Sequence, residues 1–346
     1  MLYFARKRKR VFTTGIFLAL VFIVMSYVPP LAAASEEARV AELKKEAAKE
    51  GKLSLHTSIN VTDASFLVGK FQKKYPFIKV ELQRSNDPLI MTRLQGEQRA
   101  RKNTLDVLTA RGGAAYLMQK MGFLAKYASP ERRFYAEGFK DAEGYWTDMY
   151  PTVHCLAYNT RLVTPQDVPT TYQDLLKPQW KGKIGFCNSN YMWLEAVMQI
   201  MGKEKGMHFL EALGRQNLMV RDGSSLNIIL AAAGEVAITI PVNANLVEKE
   251  KGRGAPVDWA RIKPYYGEIH PVAMTANAPH PNAAKLFIDY ALSQEGQDVM
   301  IEMGHTVSRK GLKSKIIRAE EINAFDPALG ERIEYYQKLV KKLFVK

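Results

Sequence analysis

Cysteine is scarce, with only Cys155 and Cys187 in a chain of 346 residues, which excludes a disulfide framework as the main source of stability. Both lie in apolar, strand-like stretches, so one bridge and two buried thiols are equally compatible with the sequence. Catalytic signatures are missing as well. No nucleophile elbow, phosphate loop, dinucleotide fingerprint or zinc-type His/Glu spacing occurs, which argues against the common hydrolase, nucleotide-binding and zinc-enzyme classes. Of six histidines, His154 adjoins Cys155 on a presumptive strand and points to the opposite face, so the two do not form a nucleophilic pair. His208, His270, His280 and His305 have no acid or histidine at metal-ligand spacing and suit surface or packing roles. His56 differs, because it ends a strand, and is kept as a candidate site residue.

Acidic side chains are also in short supply, 35 against 49 lysines and arginines, for a formal charge of +14. The excess is dispersed. Basic residues alternate with acids in "AELKKEAAKEG" and "LVEKEKGRG", without the aromatic-interleaved patch of a nucleic-acid binder, so no nucleic-acid partner is expected. The exception is "RKRKR" at residues 6–10, followed by the apolar run "IFLALVFIVM" and then "PPLAAAS". A basic start, an apolar core and small residues at Ala32 and Ala34 read as a cleavable signal peptide over residues 1–34, cut after Ala34, which implies a periplasmic protein. The alternative is a retained anchor, since Val11 to Val28 is long enough to span a membrane. Cleavage removes five basic and no acidic side chains and takes the charge from +14 to +9. No cysteine follows the apolar run to carry a lipid.

What remains has ordinary globular composition, 47% hydrophobic and 24% charged, without repeats or low-complexity runs. A helix from Ser35 stops at Gly51, and strand-like "KLSLHTS" follows. Helix "ASFLVGKFQKKY", capped by Thr62 or Asp63, strand "IKVEL", helix "PLIMTRLQGEQRARK" and strand "LDVLTA" continue the alternation. Such alternation predicts an α/β fold with a mostly parallel sheet flanked by helices. After an extended passage, "YWTDMYPTVHCLAYNT", a second α/β block begins with a helix start at Thr171 to Asp174 and includes strands "KIGF" and "VAITI". Helices from Pro281 to Met303 and amphipathic segments such as "ERIEYYQKLVKKLF" end the chain. Two blocks predict two lobes with a cleft between them.

Five strand ends are rich in small polar residues: "HTSIN" at 56–60, "TARGG" at 109–113, "CNSNY" at 187–191, "DGSS" at 222–225 and "PVNAN" at 241–245. Parallel strands bring such corners to one edge, where helix N-termini aim N–H groups at a ligand. Each corner alone is an ordinary turn composition. Together they nominate a binding site made of His56, Thr57, Ser58, Asn60, Arg111, Gly112, Asn188, Ser189, Asn190, Tyr191, Ser224, Ser225, Asn243 and Asn245.

From Leu53 to Ser308 the chain resembles the extracytoplasmic solute-binding proteins of ABC importers, in the branch that includes the ferric-ion-binding proteins. The likeness rests on "YPFIKVEL", "LDVLTA", "YWTDMYPTVHCLAYNTRLV", "TYQDLLKPQWKGKIGF", "AAAGEVAI" and "APHPNAAKLFIDYALSQEGQDVM". It implies a type II-like two-lobe fold, with residues 35–150 in lobe 1, 151–267 in lobe 2 and 268–346 returning to lobe 1. It also implies closure by hinge motion and delivery to an inner-membrane permease, as a monomer without cofactor.

The resemblance places the family's paired tyrosine ligands at Ala244 and Asn245, its acidic ligand at Arg111 and its histidine at Asn60. A hard trivalent cation prefers anionic oxygens, so this set disfavours iron. The family's anion-holding segments correspond to Asn190 to Met192, Ser224 and Asn243, and Arg111 offers a bidentate fork. The expected function is capture of a small anion, a carboxylate, phosphate ester or phosphonate, with Tyr191, Trp193, Tyr265 and Tyr266 as candidate pocket aromatics. Ferric-ion binding and a sensory role for a membrane kinase are the alternatives, and a secreted enzyme using His56 is a third.

Overall fold

The computed structural model describes residues 30–314 and 316–345. The expected signal segment therefore lies almost entirely outside the described residues, as does the stretch for which an anchor was the alternative. Among the described residues no helix is long and apolar enough to cross a membrane.

Helix α1 (Pro30–Glu50) stops at Gly51, which adopts φ +68°, a left-handed conformation that glycine reaches without strain. The first block then runs β1 (Lys52–Thr57), α2 (Val61–Lys74), β2 (Lys79–Arg84), α3 (Asp87–Ala100), β3 (Val107–Thr109) and α4 (Gly112–Lys120). Asn60, not Thr62 or Asp63, caps α2, accepting the Asp63 N–H at 2.9 Å. The acid falls instead in the first turn, where it complements the helix dipole. Asn86 caps α3 in the same way through the Leu89 N–H.

A long strand follows, β4 (Trp146–Asn159), and the second block comprises β5 (Ile184–Cys187), α5 (Trp193–Met201), α6 (Lys203–Gly214), β6 (Met219–Arg221), α7 (Ser224–Ala233), β7 (Ile238–Asn243), α8 (Ala244–Gly252) and β8 (Val257–Ala260). The chain returns through β9 (Tyr265–Met274), α9 (Pro281–Leu292), α10 (Gln294–Glu302), β10 (Ile322–Ala324), a 3-10 turn at Pro327–Arg332 and α11 (Ile333–Phe344). Strand β7 begins two residues later than its β-branched run suggests and continues through Pro241. Pro241 lacks an N–H, and the β4/β7 ladder shifts register there, with Cys155 opposite Val242 and Ala157 opposite Thr239. The bulge removes the need for the missing donor.

The strands are ordered β2-β1-β3-β9-β4-β7-β5-β6, with β10 on β9 and β8 on β4. The outer strands are parallel, β1 with β2 and β3, and β5 with β6 and β7. At the centre β4 runs antiparallel to β9 from Trp146 to Val153, then to β7 from His154 to Tyr158. Each half is thus a mixed sheet, because β9 in the first and β4 in the second run against their neighbours.

Two apolar clusters fill the interior, the first extending from the first block into the 228–259 part of the second. One gathers Leu53, Leu55, Phe71, Ile78, Val107 and Phe287, and the other Phe186, Trp193, Leu210, Ile238, Tyr336 and Phe344. Helices α9 and α10 pack on the first, whereas α11, assigned to the same lobe at the level of sequence, packs into the second. Its buried Tyr336, Leu339, Val340 and Phe344 recur at helical spacing, and their burial contributes roughly 6–12 kcal/mol as an upper bound. Gly214 permits the contact, since a Cβ there would lie 2.4 Å from the Leu343 carbonyl.

Both cysteines are buried free thiols. Two of the histidines pair with acids far away in sequence: His305 Nε2 lies 2.8 Å from Asp63 Oδ2, and His280 Nδ1 lies 2.8 Å from Asp106 Oδ2. Asp148, buried where the β4/β9 ladder shifts register, accepts the His270 N–H at 2.7 Å. Burial pushes its carboxyl from 3.8 up to about 7.

The sign of the resulting pH effect follows. Below about pH 4 the carboxyl is protonated in both states; as the pH rises toward 7 the unfolded chain ionises while the folded chain holds its proton, so stability falls. A displacement of that size corresponds to about 4 kcal/mol. Asp148→Asn is expected to flatten this part of the stability profile, measured by urea denaturation from pH 4 to 8. An unchanged slope would show that Asp148 is not its source.

Candidate functional site

Between the two halves lies a cleft of about 940 Å³. Glu268 and Ile269 of β9 contribute to its lining, together with the first turns of α3 and α4 from one half and the 188–192 segment and Asp222 from the other. The C-terminal segment from Phe325 to Val345 supplies a further wall.

Arg111 is placed by close backbone packing. It forms the N-cap of α4 in extended conformation, φ −63° and ψ 150°, and is followed by Gly112, where a Cβ would lie 2.5 Å from Ile269 Cγ1. Only a residue without a side chain lets α4 start this near β9. Its backbone N–H donates to Asp87 Oδ1 at 3.3 Å, and its Nε stands 3.8 Å from Asp87 Oδ2. Among the described residues the guanidinium makes an ion pair but no side-chain hydrogen bond, and 43% of the side chain is exposed.

The cleft is electrostatically mixed. Glu268 is the main influence holding the Arg111 pKa above its ordinary value, and Asp87 adds to it. Burial raises the Glu268 carboxyl, opposed in part by Arg111. Tyr191 faces the same charges; burial, reinforced by Glu268, pushes its phenol up to about 12, so it stays a neutral donor at physiological pH.

Arg111, Gly112, Asn188, Ser189 and Tyr191, all proposed from sequence, line the cleft. Asn190, Ser224 and Asn243 stand beside it as a wired support. Asn190 Nδ2 lies 2.9 Å from Ser224 Oγ and 3.0 Å from both the Pro241 carbonyl and Asn243 Oδ1. One amide thereby ties together the starts of α5, α7 and α8. Ser189 Oγ adds a fourth tie by accepting the Gly223 N–H at 3.1 Å. Helices α4, α7 and α8 begin without a side-chain cap, so their dipole ends remain available to an anion, whereas the first N–H groups of α5 are taken by the carbonyls of Asn190, Tyr191 and Met192.

The other proposed residues lie elsewhere. His56 is buried in the first sheet with neither ring nitrogen hydrogen-bonded among the described residues, and burial lowers its pKa to about 4; it is a neutral strand residue. Thr57 spends its hydroxyl on Thr109 Oγ1 at 2.6 Å, and Ser58 donates its backbone N–H to the Thr109 carbonyl. Asn60 is occupied as the α2 cap, Ser225 is exposed on α7, and Asn245 is half-buried in the first turn of α8. Of the four candidate aromatics only Tyr191 lines the cleft. Trp193 packs edge-on to Tyr172, Tyr265 to Trp259, and Tyr266 against Phe325.

Sequence reading missed Asp87, Glu268 and the whole C-terminal wall. Glu268 sat in a passage not assigned as a strand. The wall carried one usable signal, the apolar periodicity of "ERIEYYQKLVKKLF". Among the described residues no three His, Cys, Asp or Glu side chains are grouped to hold a metal ion.

A cleft between two α/β halves joined by β4, with uncapped helix starts on either side, is the architecture of a two-lobed solute-binding protein. The family model described as bacterial extracellular solute-binding protein matches residues 103–316. The chain belongs to that family, whose members bind solutes and are not enzymes. An uncharacterized protein of Haemophilus influenzae is 24% identical over 231 residues, which is 62% of this chain and 65% of that relative's length. Two solved structures share the fold at 20% identity. Iron-bound HitA from Pseudomonas aeruginosa has a TM-score of 0.73 over 84% of this chain and 99% of its own. AfuA from Actinobacillus pleuropneumoniae, with fructose-6-phosphate bound, has a TM-score of 0.67 over 85% and 98%.

Removing the Asn190 amide leaves the Pro241 carbonyl and two side chains without their shared donor. Asn190→Ala is expected to destabilise the protein by about 2–3 kcal/mol in urea denaturation. A loss under about 0.5 kcal/mol, the range of a surface substitution, would show that the network is not a structural tie.

Proposed function

We propose that the protein captures a small organic anion in this cleft in the periplasm and delivers it, as a monomer, to an ABC permease in the inner membrane. The observation that carries the reading is Arg111, a half-exposed guanidinium positioned by Gly112 and lacking any side-chain hydrogen bond among the described residues. Five N–H donors in a rigid fork match a carboxylate or phosphoryl group. The uncapped starts of α4 and α7 add dipoles of the right sign.

Asp87 and Glu268 refine the reading. A bare anion entering beside them meets two carboxylates, so the favoured solute also presents hydroxyl groups that donate to those oxygens. Phosphate esters and hydroxy acids have that pattern, and the sugar phosphate held by AfuA belongs to it. Lobe closure would then follow from the solute's preference for the closed form. The iron held by HitA makes ferric ion and ferric citrate the necessary comparison.

Thermal unfolding in the presence of phosphate esters, hydroxy acids, inorganic phosphate, ferric ion and ferric citrate tests the proposal, because a ligand of the native state must raise its stability. An organic anion is expected to raise Tm, and Arg111→Ala to weaken its binding about 10- to 100-fold, the worth of a charge-assisted hydrogen bond. Stabilisation by ferric species alone would overturn the anion reading.

A further inference from the structure

We infer that the C-terminal segment from Phe325 to Val345 is part of the solute site, and that the solute is an amphipathic organic anion whose apolar body lies on this segment. The inference rests on the anion reading above and specifies the rest of the molecule attached to the charged group.

Volume is the first consideration. A metal ion or inorganic phosphate fills a small fraction of about 940 Å³, whereas sites for drug-sized molecules run from about 300 to 1,000 Å³. Chemistry along the walls is the second. The polar groups Asp87 and Arg111 sit at the starts of α3 and α4, while Met91 and Leu117 line the cleft further along the same helices. At 1.5 Å per residue, Leu117 lies about 9 Å beyond Arg111 along the helix, and Met91 about 6 Å beyond Asp87. Along these two helices the lining therefore passes from polar to apolar.

The C-terminal segment shares this lining. Helix α11 has two faces: Tyr336, Leu339 and Phe344 enter the second core, while Ile333, Gln337 and Lys341, at i, i+4 and i+8, line the cleft. The segment is fixed against α4. A Cβ on Gly330 would lie 2.4 Å from the Gly113 carbonyl, one on Gly113 would lie 2.9 Å from Gly330 Cα, and Glu331 pairs with Lys120. This wall thus bridges the halves, packed on α4 at its start and in the second core at its end. Lys341 forms no ion pair among the described residues and adds a second cation to the cleft. Half-buried Met91, Leu117 and Ile333 gain from burial only against an apolar group, at about 25 cal/mol per Å² removed from water.

Calorimetric titration of the full chain with inorganic phosphate, phenyl phosphate and naphthyl phosphate, and with acetate and benzoate, tests the inference. Affinity is expected to rise at least tenfold from inorganic phosphate to an aryl phosphate. Ile333→Asn and Leu117→Asn, each checked for an intact unfolding transition, should weaken the aryl ligand at least tenfold and leave inorganic phosphate within about twofold. Arg111→Ala should weaken both. Equal affinity for phosphate and its aryl esters, with Arg111→Ala still weakening both, would overturn the amphipathic solute and keep the anion reading. Absence of binding by every anion would overturn both. If the two asparagine variants weaken inorganic phosphate as much as the aryl esters, the wall is a structural support and the inference fails.

Discussion

The structure depends on a single strand that serves two sheets. Through Val153, β4 pairs with β9 in the first half, and from His154 onward it pairs with β7 in the second. Every buried N–H and C=O at that changeover needs a partner, so the two halves are joined by a continuous ladder and not by a loose linker. The cleft lies along this ladder, with Glu268 and Ile269 of β9 in its lining. Rotation of one half about the other would move Arg111 relative to Asn188 and Ser189 while leaving β4 paired.

That geometry explains how polar and charged groups coexist in the cleft. Support groups satisfy one another, as Asn190 does with Ser224, Pro241 and Asn243, so few of them are free to compete for a ligand. Arg111 is one exception, beside Asn188, whose buried Oδ1 has no hydrogen-bond partner among the described residues. The Arg111 charge is balanced by Glu268 and Asp87, which keeps the guanidinium ionised in a recessed position, and its donors remain unspent. A solute anion bound as proposed would replace a diffuse ion pair with directed hydrogen bonds, a gain that does not require breaking a tight bidentate pair.

Much of the fold was legible because it is written in local patterns. The Gly51 stop, the Asp87-Pro88 helix start and the Thr171-x-x-Asp174 box each act over a few residues. The site was legible in part for the same reason: Gly112 after a strand end marks a close approach, and Arg111 stands beside it. What sequence hid was long-range. Nothing near His56 reveals that it is enclosed, nor does anything near Asn60 show that capping takes its side chain in preference to Thr62 or Asp63. The acid partner of His305 is Asp63, far outside any spacing rule. Helix α11 showed its apolar stripe, but periodicity gives a face and not the neighbour it faces.

The central claim is that a guanidinium, and not a set of phenolate or carboxylate oxygens, makes the decisive contact with the bound solute. A crystal structure of protein purified from its own cellular compartment with its solute retained tests this most directly. The account predicts an organic anion between the lobes with its charged group within hydrogen-bond distance of the Arg111 fork. A metal ion held by tyrosines, with Arg111 turned away from it, would contradict it.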